Sequence, residues 1–268
     1  MGGTSLRIGR RRGVGGAMSA ALQRALGAPR PGPAPTQAPT LVLGPARSGR
    51  SALLFRAARG GPRALFLAPR ALQRLPGARR GESDARGLQR IQFLYPPSLR
   101  ELLQLLASLH QSLPGPPALI LLDGLEQYLA GCPGPQAAAR LSALLVDTAS
   151  YFTGRLGADP QGSDPCCQLI ASMQVSGETE AEDHLGILQR YFPAQCWLCP
   201  DSAAALGQED CGGDRLFRAH LSQPDAPDQE WRLGFSLDGE MRVSPVPLGC
   251  AEDPGTASDR DRAAGAEK

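Results

Sequence analysis

The chain has 268 residues, 42% of them hydrophobic and 20% charged, enough apolar material to bury one sizeable core. Its 32 glycines and 25 prolines exceed ordinary usage but stay short of the roughly 25–30% that marks a disordered sequence. The apolar runs are short, the central one spanning Ala118 to Leu122, so a membrane-spanning helix of about 20 residues is excluded.

A net charge of +2 conceals a large asymmetry. Residues 1–81 carry fifteen arginines and no acid, while the other thirteen basic residues share the remainder with all 26 acids. Lys268 is the only lysine, so basic contacts in the folded part fall to arginine, whose planar fork suits phosphate. A basic half predicts a polyanionic partner. A coding bias towards arginine would yield the same count. Seven scattered cysteines, an odd number, do not make a disulfide framework and predict a reducing compartment.

Residues 1–39 show no sustained apolar period and run into Pro29-Arg-Pro-Gly-Pro-Ala-Pro, which predicts a disordered Arg/Pro-rich arm. Acid-free and with a second methionine at Met18, this arm also has the composition of a mitochondrial presequence, or of an extension before an alternative start. One domain is expected over residues 40–248, followed by a disordered polar tail over 249–268.

The domain alternates strands and helices. Thr40-Leu-Val-Leu is a short apolar strand, and Ser51 to Ala58 opens a helix. Ala64-Leu-Phe-Leu-Ala and Ile91-Gln-Phe-Leu-Tyr are the next strands. Ser98 and Glu101 form a capping box for a helix on which Leu99, Leu102, Leu103, Leu106, Leu109 and Leu113 recur at helical spacing. Pro114-Gly-Pro-Pro stops it. The strand Leu119-Ile-Leu-Leu-Asp123 follows, then a helix from Gln136 to Phe152 and the strand Gln168 to Gln174. Short strands joined by helices predict an α/β fold with a mainly parallel sheet covered on both faces. Beyond about residue 195 strands follow without helices, and Asp238-Gly239 between Trp231–Ser236 and Met241–Ser244 is a hairpin signal. A C-terminal antiparallel annex is therefore expected.

The first strand runs into Gly44, Pro45, Ala46, Arg47, Ser48, Gly49, Arg50 and Ser51, and then a helix. This is the phosphate-loop pattern G-x-x-x-x-G-K-[ST] in its strand–loop–helix setting, with Arg50 in place of lysine. The glycines let backbone N–H groups turn toward phosphate, and the helix N-terminus adds its dipole. Ser51 is the candidate magnesium ligand, and Asp123, ending an apolar strand, the candidate carboxylate that holds magnesium through water. Arginine is bulkier and flatter than lysine, which predicts retained binding and weakened hydrolysis.

On these residues, and on Leu88–Leu103, Leu119–Leu129 and Leu188–Leu198, the chain resembles the RecA-like recombinase paralogues. Most closely it resembles the SWIM-type zinc-finger-associated ATPase subunit of the animal Shu complex. The string Gln189-Arg-Tyr-Phe-Pro-Ala-Gln-Cys-Trp197 is its most specific element. The resemblance implies a RecA-like P-loop ATPase core using ATP and Mg, with turnover stimulated by single-stranded DNA in homologous-recombination repair. It further implies a nuclear location, a SWIM-type zinc-finger protein as heterodimer partner, and contact with the strand-exchange recombinase and its paralogues. Gly44, Gly49, Arg50 and Ser51 become phosphate-loop residues, Asp123 the magnesium carboxylate, and Gln174 a polar sensor of the terminal phosphate.

Two departures bear on turnover. Active recombinases end the strand after the phosphate-loop helix with a glutamate that orients the attacking water. Here Ala64–Ala68 continues as Pro69-Arg70, and Glu126 is the nearest substitute. The segment Val175 to Asp183, where recombinases keep a DNA-gripping loop, holds four acids and no base and should repel DNA. If DNA binds, the electrostatics favour Arg7, Arg10, Arg11 and Arg12 in the arm and Arg56, Arg59, Arg63, Arg70, Arg74, Arg79 and Arg80 beyond the loop.

Two smaller signals remain. Phe55-Arg-Ala-Ala58 matches the Phe-x-x-Ala docking peptide of recombinase protomers, but its helical position predicts core. Cys196 and Cys199, with Cys211 and His220 beyond, have zinc-ligand types, but their strand-like surroundings predict buried structural thiols. Two readings besides an active ATPase remain from the residues alone: a non-hydrolysing pseudo-ATPase scaffold and a small-molecule P-loop kinase.

Overall fold

The structure is a computed structural model. It describes residues 19–27, 38–75, 85–132, 134–157, 166–175, 179–201, 215–224, 226–237 and 239–246. Arg7, Arg10, Arg11, Arg12, Arg79, Arg80, Cys211, Asp238, residues 176–178 of the acidic segment and the tail expected at 249–268 lie outside them.

Among the described residues nine strands form one sheet. In chain order they are β1 (Thr40–Gly44), β2 (Ala64–Leu67), β3 (Ile91–Leu94), β4 (Leu119–Leu122), β5 (Gln168–Gln174), β6 (Ala194–Pro200), β7 (Arg215–Gln223), β8 (Ala226–Phe235) and β9 (Met241–Pro245). The spatial order is β3-β2-β4-β5-β1-β6-β7-β8-β9. Pairing is parallel from β3 to β6 and antiparallel from β6 to β9. The expected parallel core with an antiparallel annex is what forms. The strand β6, apolar at alternate positions, closes the parallel part beside β1 and opens the annex on its other edge.

Strand alternation divides the core into two layers. Val42, Phe66, Leu121 and Ile170 face one side, beneath helices α1 (Ala20–Leu26) and α2 (Arg50–Arg59). Leu41, Leu43, Leu65, Leu67, Ile120 and Leu122 face the other, beneath α4 (Leu99–Ser112), α5 (Leu125–Leu129), α6 (Gln136–Arg155) and α7 (Thr179–Tyr191). A single turn, α3 (Ala85–Leu88), precedes β3. The periodicity reading of α4 holds: Leu102, Leu106 and Leu109 are buried one above another, and Ser98 Oγ accepts the Glu101 N–H at 3.3 Å.

The N-terminal boundary is corrected. Residues 20–26, expected within a disordered arm, form α1, whose Ala21, Leu22, Ala25 and Leu26 are buried in the first layer. Seven residues are too few to show a helical period or to hold a helix alone. The helix persists because it packs on α2, and because Gln168 at the start of β5 receives it: its Oε1 accepts from Ser19 Oγ at 2.6 Å and from the Ala21 N–H at 2.8 Å. Among the described residues no helix is long and apolar enough to cross a membrane.

Candidate nucleotide site

The parallel strands all end at one edge of the sheet, and the expected site residues gather there. Strand β1 delivers Gly44 to that edge, and the loop to α2 turns back with Arg47 at φ +60° and Gly49 at φ +89°. Both values lie in the left-handed region that glycine adopts freely and arginine does not. The carbonyl of Arg47 accepts Arg215 Nη2 at 2.7 Å, which ties the loop's outer turn to the annex. Gly44 is required by space: a Cβ there would sit 2.7 Å from Ser48 Oγ and 2.9 Å from the Leu198 carbonyl. A Cβ at Gly49 would overlap the ring of Phe235.

Pro45 and Ala46 form the outer rim of the loop, and Ser48 is fully buried. Arg50 and Ser51 open α2, both half-buried. Gln174 ends β5 directly beside Gly44, and Arg50 Nη2 donates to its Oε1 at 3.4 Å. Burial lowers the Arg50 pKa, while the charges of Glu126 and Asp123 act to raise it. The guanidinium therefore sits in a partly desolvated place with both carboxylates close enough to be felt.

Asp123 follows β4, with its N–H held by the Leu67 carbonyl at 2.8 Å. Two strands over from β1, it faces the phosphate loop across β5. Ser172, buried in β5, donates to Asp123 Oδ1 at 2.5 Å and accepts the Gly124 N–H at 3.0 Å. That hydroxyl sets both the carboxylate and the turn into α5, where Gly124 adopts φ +80°. Glu126, on α5, accepts the Gln174 N–H through Oε2 at 2.8 Å. Tyr128 donates to the Pro96 carbonyl at 2.9 Å, and burial, with a smaller contribution from Asp123, raises its pKa. Sequence reasoning did not single out Ser172, Tyr128, Arg215 or Phe235. The signal for Ser172 was present as the one short polar residue inside the apolar run Leu169–Met173.

Two buried polar atoms, Ser48 Oγ and Arg50 Nη1, have no hydrogen-bond partner among the described residues. Donors left unpaired beside a glycine-framed loop and a helix N-terminus suit an anionic ligand such as a nucleotide's phosphates. The Ser51 hydroxyl and the Asp123 carboxylate are oxygen donors of the kind magnesium takes, so the residue set fits Mg as well. These are the groups that would hold it, and bound there it would offset phosphate charge.

The other candidates separate. Phe55 is 1% exposed and Ala58 fully buried, both packed in the first layer as their helical position predicted. Cys196 and Cys199 occupy odd and even places on β6 and so point to opposite faces of the sheet. Cys196 is buried, and its thiol is pushed up to about 12, first by desolvation and then by Cys199. Cys196 is thus the buried thiol expected, but Cys199 is exposed and departs from that expectation, because its place on β6 turns it to the other face near the strand's end. Among the described residues no carboxylate directly follows β2: Ala68, buried, donates its N–H to the Leu94 carbonyl, and Pro69 and the exposed Arg70 follow.

A human protein named ATPase SWSAP1 is 47% identical over 218 residues, which cover 78% of this chain and 90% of the relative. The mouse protein of the same name is 45% identical over 238 residues, covering 85% of this chain and 82% of the relative. The chain belongs to the SWSAP1 ATPase family. No protein-family model matches it. Among solved structures, the RadB recombinase superposes with a TM-score of 0.52 at 16% identity, covering 84% of this chain and 96% of that one. A second solved structure, an ATPase domain 12% identical to this chain, superposes with the same TM-score of 0.52, covering 76% and 84%. These likenesses identify the fold as RecA-like. Membership of the SWSAP1 ATPase family, together with the loop geometry, implies nucleotide binding.

Proposed function

We propose that the protein is a slow, single-stranded-DNA-stimulated ATPase of homologous-recombination repair. In this reading it acts in the nucleus with a SWIM-type zinc-finger partner and touches the strand-exchange recombinase and its paralogues. The observation that carries the reading is the convergence at one sheet edge of the loop Gly44–Ser51, Asp123 and Gln174, with Arg50 reaching Gln174. Gly44 to Ser51 hold the phosphates, Ser51 and Asp123 hold Mg, and Gln174 senses the terminal phosphate. Family membership supports the ATPase class, and the exposed Arg70 and Arg74, just beyond β2, support a polyanion near the same edge.

Turnover is slow in this reading for two physical reasons. The planar Arg50 fork replaces a compact ammonium. No carboxylate follows β2 to orient water, and Glu126, the nearest alternative, is engaged by the Gln174 N–H. The same two features favour a second reading, a nucleotide-binding scaffold that stabilises its partners without turnover.

Phosphate release by the partner-bound protein, with and without single-stranded DNA and beside Asp123→Asn, separates the two. DNA-dependent release that the substitution abolishes supports the ATPase. Release no greater than that of Asp123→Asn, with ATP still bound, supports the scaffold. No ATP binding at all would sink both.

A further inference from the structure

Glu126 lies outside the motifs that build the site, yet it is tied to them. Its Oε2 holds the backbone N–H of Gln174 at 2.8 Å, and the side chain of Gln174 in turn accepts Arg50 Nη2 at 3.4 Å. The other terminal nitrogen of Arg50, Nη1, is buried without a hydrogen-bond partner among the described residues. The three residues come from three separate elements, α5, β5 and α2, and come together at this edge.

A guanidinium is a rigid plane with five donors in fixed directions, so holding one terminal nitrogen sets where the other points. A lysine ammonium rotates freely on its stem and needs no such restraint. An arginine at this position of a phosphate loop therefore needs a brace that the usual lysine does not. We propose that Glu126 is that brace: a positioning residue that, through Gln174, sets the plane of the Arg50 guanidinium so that Nη1 is presented to the terminal phosphate of a nucleotide. The proposal rests on the nucleotide-binding reading and assigns the residue that makes arginine workable in this loop.

The test is a cycle of ATP affinities, measured by calorimetry in Mg²⁺ on the partner-bound protein, for Glu126→Ala and Arg50→Lys singly and together. Losing a hydrogen bond that restrains a charged group corresponds to about a tenfold loss of affinity. Glu126→Ala is expected to cost that factor when residue 50 is arginine and about twofold or less when it is lysine. Glu126→Gln keeps an oxygen that accepts the Gln174 N–H, and is expected to recover most of the loss. Gln174→Ala, which leaves the backbone bond to Glu126 intact but removes the acceptor of Arg50 Nη2, is expected to lose at least as much as Glu126→Ala, and it covers the case in which the latter fails to fold; an unchanged affinity would overturn the proposal. Equal losses in the arginine and lysine backgrounds would overturn the proposal, as would a Glu126→Gln variant as weak as Glu126→Ala. If neither wild type nor Arg50→Lys binds ATP, the nucleotide reading fails and the brace with it.

Discussion

The ring of Phe235 fills the space that a side chain at Gly49 would occupy. The phosphate loop is thus supported by the C-terminal hairpin, with Phe217 edge-on to Phe235 at 6.0 Å and Arg215 clasping the Arg47 carbonyl. Packing of this kind fixes the loop's shape through contacts made far along the chain.

Gly49→Ala therefore meets two costs, a left-handed backbone worth about 1–2 kcal/mol and a clash with an aromatic ring. We expect urea denaturation to show a loss of at least about 2 kcal/mol, with ATP affinity falling in parallel. Adding Phe235→Ala removes the clash but leaves the backbone cost and opens a cavity, so the double variant should lose less than the sum of the singles. Strict additivity would show that the contact carries no weight.

Ser172 serves two partners at once, the Asp123 carboxylate and the Gly124 N–H. Ser172→Ala leaves the buried Gly124 N–H and the half-buried Asp123 carboxylate without that partner, at about 1–3 kcal/mol of stability. In the ATPase reading it should also lower phosphate release while leaving ATP affinity within a few-fold, because it misplaces Asp123 without touching the loop. An unchanged rate in a destabilised protein would restrict Ser172 to a structural role.

The position of α1 makes a prediction about truncation. Removing residues 1–18 leaves Ser19 and its bond to Gln168 in place and gives the reference form for urea denaturation. Removing residues 1–38 strips Leu22 and Leu26 from the first core layer and should cost about 2–5 kcal/mol, or prevent folding. Equal stability of the two truncated forms would contradict the docking of α1.

The two cysteines of β6 should differ in reactivity. Cys199 is exposed, whereas Cys196 is buried with its thiol pushed up to about 12. A raised thiol pKa leaves less of the thiolate that is alkylated. Brief treatment of the native protein with iodoacetamide, followed by peptide mass analysis, should find Cys199 alkylated and Cys196 intact; denaturant should remove the difference. Ready labelling of Cys196 in the native state would argue against the burial of this strand.

The legible part of the fold follows from local pattern. The apolar run Leu41–Leu43 before Gly44 and an apolar helix after Ser51 sufficed to place the strand, loop and helix around Gly44–Ser51. Strand, loop and helix are contiguous, so their geometry is set by neighbours in sequence. Asp123 was legible for the same reason, as the polar end of Leu119–Leu122. The hairpin around Gly239 was legible from its turn residues, and its φ of +83° is the conformation they signal.

Local pattern does not encode which side chains meet across the sheet. Ser172 and Asp123 are near because β4 and β5 pair in one register. Glu126 reaches Gln174 because α5 folds back over the end of β5. Phe235 reaches Gly49 because the annex strand β8 lies beside the loop in the fold. The helix α1 shows the same limit from the opposite side: too short to declare itself by period, it exists because a buried glutamine and an apolar layer receive it. Contiguous residues thus specify the strand–loop–helix with its arginine, the alternation of strands and helices, and the family likeness. How Arg50 is held, what orients Asp123 and where α1 packs depend on the folded chain, because they rest on long-range burial and strand register that no single stretch of residues carries.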